Sequence, residues 1–124
     1  MGLLHSLNAS DMPLSPSIFW ISGLPGAGQT TLTSSLVLSL NARGISAFAL
    51  DSDELRKTLY SDLGLSAADR SENIRRAGEV ASLMVQAGIT VVCAFVSPFA
   101  TNRQRVRALF EPSQFVEVFL NNFV

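Results

Sequence analysis

This chain reads as a three-layer α/β domain in which helices cover both faces of a mostly parallel sheet, and three observations predict it. Strand-like and helix-like segments alternate along most of its 124 residues, the pattern of parallel strands joined by helical crossovers. The run at 89–96, Ile-Thr-Val-Val-Cys-Ala-Phe-Val, is apolar without a polar alternation, as in a strand covered on both faces. A glycine-rich stretch at 23–31 separates the first strand-like segment from the first helical one.

Residues 1–17 carry little charge and two prolines, Pro13 and Pro16, and are expected to be a flexible lead-in to a domain at 18–124. The first strand is the apolar segment 18–21. A helix at 31–43 places Leu32, Leu36 and Leu40 at helical spacing, and Arg43-Gly44 marks its end. A second apolar strand, 46–50, runs into Asp51-Ser52-Asp53, whose acids start a short helix with Leu55 and Leu59 on one side. Residues 61–65 form a loop. Ser66 followed by Asp69 is an N-cap signature, and the helix behind it carries Ile74, Ala77, Ala81 and Met84 on one stripe as far as Gly88. The third strand, 89–96, ends at Ser97-Pro98. A helix at 101–110 turns Val106 and either Leu109 or Phe110 inward, Pro112 closes it, and 115–120 is the fourth strand.

The stretch at 23–31 fits G-x-x-x-x-G-K-[S/T] except at Gln29, where a phosphate-binding loop carries lysine. Gly23, Gly26 and Gly28 permit a close backbone approach, so that amide N–H groups converge on a phosphate. The helix that follows aims its positive N-terminus at the same anion. Thr30 sits where the loop hydroxyl reaches Mg²⁺.

Composition excludes several functions. A net charge of −1 and a pI near 5.7 do not suit a general binder of nucleic acid or anionic membrane. Cys93, the only cysteine, lies in the apolar run and reads as a buried small hydrophobe, while the single His5 leaves no His/Cys metal cluster. No apolar run is long enough to span a membrane. Met1 to Ser6 fits an N-terminal acylation pattern, but no second membrane signal follows it. No secretory signal is recognisable, so the expected compartment is the cytoplasm.

Sheets of this class bind ligands at the carboxyl ends of their strands, where the strand order reverses. The loop at 23–31, Asp51, Asp53 and Ser97-Pro98 all fall there. Taken alone, the two acids also suit helix capping, and Ser97 suits a loop serine held extended by the proline after it. Arg70 and Asn73, three apart on a helix, share a face that can meet one ligand or simply face solvent.

With these residues assembled, the chain resembles the adenylyl-sulfate kinase (APS kinase) family, P-loop enzymes that phosphorylate the 3′-hydroxyl of adenosine 5′-phosphosulfate (APS). The resemblance runs from about Phe19 to Leu120. It rests on GLPGAG at 23–28, LDSDELR at 50–56, DLGLSAADR at 62–70, ENIRR at 72–76 and AFVSPF at 94–99. It implies a P-loop kinase-like fold, ATP and Mg²⁺ as cofactors, APS as acceptor, a role in sulfate assimilation, and a homodimer as a common assembly. By resemblance, Gly23, Leu24, Pro25, Gly26, Ala27, Gly28, Gln29, Thr30 and Thr31 hold the ATP phosphates, with Thr30 on the metal. Asp51 and Asp53 flank the acceptor hydroxyl and the metal, one of them orienting or deprotonating that hydroxyl. Arg56, Arg70 and Asn73 grip the phosphosulfate and adenosine, and Leu65 stands at the position that stacks on adenine. Val96, Ser97 and Pro98 line the acceptor pocket, and Ser97 matches a serine known in the family as a phosphoserine. Direct in-line transfer needs no covalent intermediate, so Ser97 is expected to act by contact.

Four features depart from the family pattern. Gln29 removes a fixed positive charge, and losing one preorganised donor to developing charge costs about 3 kcal/mol, roughly a hundredfold in rate. Leu65 replaces an aromatic residue, and Ser52 a glycine. The family continues beyond the strand at 115–120 into a lid, so this chain is expected to lack that C-terminal region. Two expectations follow. One is an adenylyl-sulfate kinase making 3′-phosphoadenylyl sulfate; the other is a truncated, catalytically silent relative that binds nucleotide weakly or acts through protein contacts.

Overall fold

Ile18, Phe19, Trp20 and Ile21 are each no more than 1% exposed, and the fold is built outward from the strand they form. In the computed structural model, which describes residues 15–23, 29–95 and 100–120, that strand is β1 (Ile18–Gly23). After it come α1 (Gln29–Ala42), β2 (Ala47–Asp51), α2 (Ser52–Lys57), α3 (Ala67–Gln86) and β3 (Thr90–Ala94). Then follow α4 (Ala100–Arg107), a 3₁₀ turn (Pro112–Gln114) and β4 (Phe115–Leu120). The sheet order is β2-β3-β1-β4 with every pairing parallel. β1 is therefore interior, with Ile18 opposite Val91 on one side and Phe115 on the other.

Successive strand residues leave opposite faces of a sheet, and β1 serves two cores in this way. Ile18 and Trp20 join Val91 and Cys93 against Ile74 and Ala77 of α3 and Val106 of α4. Phe19 and Ile21 join Val92 against Leu36 and Leu40 of α1. This is the helix–sheet–helix layering that the sequence predicts. Full burial of a large apolar side chain is worth about 1.5–3 kcal/mol, and β1 supplies four. Cys93 is the small hydrophobe expected: burial pushes its thiol well above the usual range, so it stays neutral.

Element ends shift by a few residues for local reasons. α1 starts at Gln29 rather than Thr31 and closes at Gly44, whose φ of 81° lets the Ile45 N–H reach the Leu40 carbonyl at 3.0 Å. Ser66 caps α3 by accepting the Asp69 N–H at 3.1 Å. The buried stripe of α3 ends on Val85, not Met84, which packs half-buried beside it. Gly78 faces α4 so closely that a Cβ there would lie 2.9 Å from Val106 Cγ2. α4 ends at Arg107, three residues before the expected end, and of the two candidates Phe110 turns into the core while Leu109 is exposed.

Arg76 fixes the segment before α3. Its Nη1 donates to the Leu59 carbonyl at 2.9 Å and to Asp62 Oδ1 at 2.7 Å, and its Nε to Glu72 Oε2 at 2.9 Å. Arg75 takes Glu72 through two bonds of 2.7 Å. Arg75, and after it Arg76, hold the Glu72 carboxyl down at about 2 from an ordinary 4.5, and Arg76 also lowers that of Asp62. A carboxyl depressed in the folded state stabilises fully above its unfolded value and loses that stabilisation as pH falls towards its folded value. Glu72→Gln is therefore expected to melt below the unsubstituted chain at neutral pH, the gap closing between pH 4.5 and about 2. Thermal melts across that range check it, and a gap independent of pH would refute it.

Candidate active site

The carboxyl ends of β2 and β3 open into a cavity of about 450 Å³ between α1 and α3. Its walls carry Thr33 from α1, Asp51 from β2, Asp53 and Arg56 from α2, and Arg70 and Asn73 from α3.

Local chemistry places each of these groups. Asp51 ends β2 and caps α2, its Oδ1 accepting the Asp53 N–H at 2.8 Å, so the strand turns directly into the helix. Asp53 and Arg56 then project from one side of α2, three residues apart. On α3, Arg70 Nε donates to the Leu65 carbonyl at 3.1 Å, and Asp69 Oδ2 accepts the Gly64 N–H at 2.7 Å. These bonds fold the loop at 61–66 back on the helix start and keep Arg70 at the cavity. One turn further, Asn73 is 7% exposed, and its Oδ1 has no hydrogen-bond partner among the described residues. Buried acceptors are almost always paired, since an unpaired one costs about 1–3 kcal/mol.

The electrostatics are open to a ligand. Asp51, Asp53, Arg56 and Arg70 are all exposed, and among the described residues no ion pair joins any two of them. The cavity thus offers two carboxylates and two guanidinium groups that have not neutralised one another. A Mg²⁺ ion carried on phosphates needs only one or two protein carboxylates, and Asp51 and Asp53 fit that need. Among the described residues no group of three or more His, Cys, Asp or Glu side chains could hold a metal by itself.

The structure gathers Asp51, Asp53, Arg56, Arg70 and Asn73, which lie up to 22 residues apart in the chain. Leu65 does not join them: it is 63% exposed, and its backbone carbonyl is what serves Arg70. Gly23 ends β1, Gln29 and Thr30 open α1, and Thr31 is exposed. Leu24, Pro25, Gly26, Ala27 and Gly28 lie outside the described residues, as do Val96, Ser97 and Pro98. Thr33 was not among the candidates from sequence. The signal was its spacing, for it shares the inward face of α1 with Leu36 and Leu40.

The profile of the adenylylsulphate kinase family matches residues 15–124. This chain belongs to the adenylylsulphate kinase family. An adenylyl-sulfate kinase of Geotalea daltonii is 53% identical over 106 residues, covering 86% of this chain and 52% of that protein. The chain spans about half the length of the curated relatives it matches. An APS kinase of Mycobacterium tuberculosis, solved in complex with AMPPNP and APS, superposes with a TM-score of 0.81 at 38% identity, covering 88% of this chain and 64% of that one. A hexameric APS kinase from Thiobacillus denitrificans gives 0.75 at 36% identity, covering 87% of this chain and 23% of that one. The family thus carries the P-loop kinase fold seen here. No helix among the described residues is long and apolar enough to cross a membrane.

Proposed function

We propose that this chain binds ATP at the start of α1 and APS in the adjoining cavity, and transfers the γ-phosphoryl group to the 3′-hydroxyl of APS. The observation that carries the reading is the convergence of Asp51, Asp53, Arg56, Arg70 and Asn73 on one cavity at the strand ends. Family membership supports it.

Phosphoryl transfer asks mainly for positioning and charge compensation. Asp51 is partly committed to capping α2, whereas the Asp53 carboxylate is free of such bonds among the described residues. Asp53 is therefore the group we assign to the acceptor hydroxyl. As that hydroxyl oxygen forms its bond to the γ-phosphorus, its proton passes to Asp53, and the bond from the γ-phosphorus to the β,γ-bridging oxygen breaks to leave ADP. Arg56 and Arg70 hold the phosphosulfate, and Asn73 Oδ1 accepts a hydrogen bond from the nucleoside. Thr30 and the acidic pair would hold Mg²⁺, which would supply charge neutralisation for the phosphates. A homodimer and a cytoplasmic location belong to this reading as well.

Gln29 favours a second reading, a relative that binds nucleotide weakly without turning it over. The test is APS-dependent ADP formation by the folded chain with MgATP, with detection of the 3′-phosphorylated product. Product above background supports the kinase, and its absence supports the silent relative.

A further inference from the structure

Four buried side-chain atoms have no hydrogen-bond partner among the described residues: Trp20 Nε1, Thr33 Oγ1, Tyr60 OH and Asn73 Oδ1. Trp20 and Tyr60 lie within the hydrophobic core beneath α3 and α4. Thr33 and Asn73 line the cavity, from α1 on one side and α3 on the other. Thr33 is 8% exposed, so solvent does not readily supply the missing bond, and a threonine within a helix is free to bond back to its own turn. Its hydroxyl does neither.

The cavity is also graded. Its four charged side chains are exposed, whereas its two orphaned neutral groups are buried. An occupant with an anionic end and a neutral polar end would place the first at the mouth and the second inside. Thr33 stands one turn past the start of α1, the helix end suited to the donor phosphates. The occupant's group beside it is therefore close to the point of transfer. On the reading above that group is the ribose, whose 3′-hydroxyl is assigned to Asp53. We infer that the Thr33 hydroxyl bonds the neighbouring 2′-hydroxyl of the acceptor, so that Thr33 is a specificity-determining residue selecting ribo- over 2′-deoxyribonucleotides. A hydroxyl both donates and accepts, as does its proposed partner.

The inference rests on the proposed acceptor, and the experiment separates the two. Calorimetric affinities are measured for APS and its 2′-deoxy analogue with the unsubstituted chain, Thr33→Val and Thr33→Ser. One neutral hydrogen bond corresponds to about a tenfold preference for APS. That preference is expected in the unsubstituted chain and Thr33→Ser, and is expected to be lost in Thr33→Val. Removing an orphaned buried hydroxyl while keeping its shape is neutral or stabilising, so ligand-free Thr33→Val should melt no lower than the unsubstituted chain. A purely structural role for Thr33 would instead lower its melting temperature and leave the preference intact. Equal discrimination by the unsubstituted chain and Thr33→Val would overturn the inference while leaving the kinase reading in place. No APS binding by the unsubstituted chain would overturn both.

Discussion

Gln29→Lys is expected to raise APS-dependent ADP formation about a hundredfold. Position 29 is the first residue of α1, where the helix dipole already favours anionic oxygens. A glutamine amide adds hydrogen bonds there but no charge, and charge on the transferring group is what such a site must offset. The check is a comparison of initial rates for the two chains at saturating MgATP and APS, with both confirmed folded. An unchanged rate would show that the charge at position 29 does not limit transfer, and would locate the deficit elsewhere.

In the Gln29→Lys background, Asp53→Asn is expected to slow turnover by roughly 10²–10⁴, the usual worth of a positioned general base. The amide keeps the size of the carboxylate and leaves the backbone bond from Asp53 N–H to Asp51 Oδ1 available. A loss would therefore be chemical rather than structural. Asp51→Asn makes the informative contrast. Asparagine caps a helix as well as aspartate does, so α2 should persist and the rate should fall less than for Asp53→Asn. If Asp51→Asn were the more damaging change, the acceptor proton would belong to Asp51. Rates for both variants, with acceptor affinities measured alongside, decide between them.

How far the sequence could be read depends on whether the deciding interaction is local. The cap at Ser66, the turn at Gly44 and the continuous apolarity of β3 are each set by a handful of adjacent residues, and each was legible. The register that puts β1 between β3 and β4 is not written in any one segment. It comes from two apolar faces being satisfied at once, which needs the three-dimensional arrangement. The same holds at the site. Asp51 and Asp53 stood out because they follow the carboxyl end of a strand, where sheets of this class bind ligands. Asn73, taken without the family resemblance, suited either a ligand contact or a solvated pair with Arg70, and only the packing of α3 shows it buried with an oxygen unpaired among the described residues. Thr33 was hidden for the opposite reason: on a face otherwise marked by leucines, a threonine reads as a core substitute rather than a polar group facing a cavity.

The interior place of β1 also sets the order in which this chain can complete itself during synthesis. Its first neighbour, β3, begins at Thr90, and its second, β4, at Phe115, while β1 itself begins at Ile18. At roughly 5–20 residues per second, this interior strand leaves the ribosome several seconds before either partner has been made. Over that interval only helices can cover them, α1 beside Phe19 and Ile21 and, once it is made, α3 beside Ile18 and Trp20. Pairings so distant along the chain also close slowly once they are possible. The nascent chain is thus a natural client for holdase chaperones, and slowing translation between β1 and β3 should lower the soluble yield more than the same delay placed after β4.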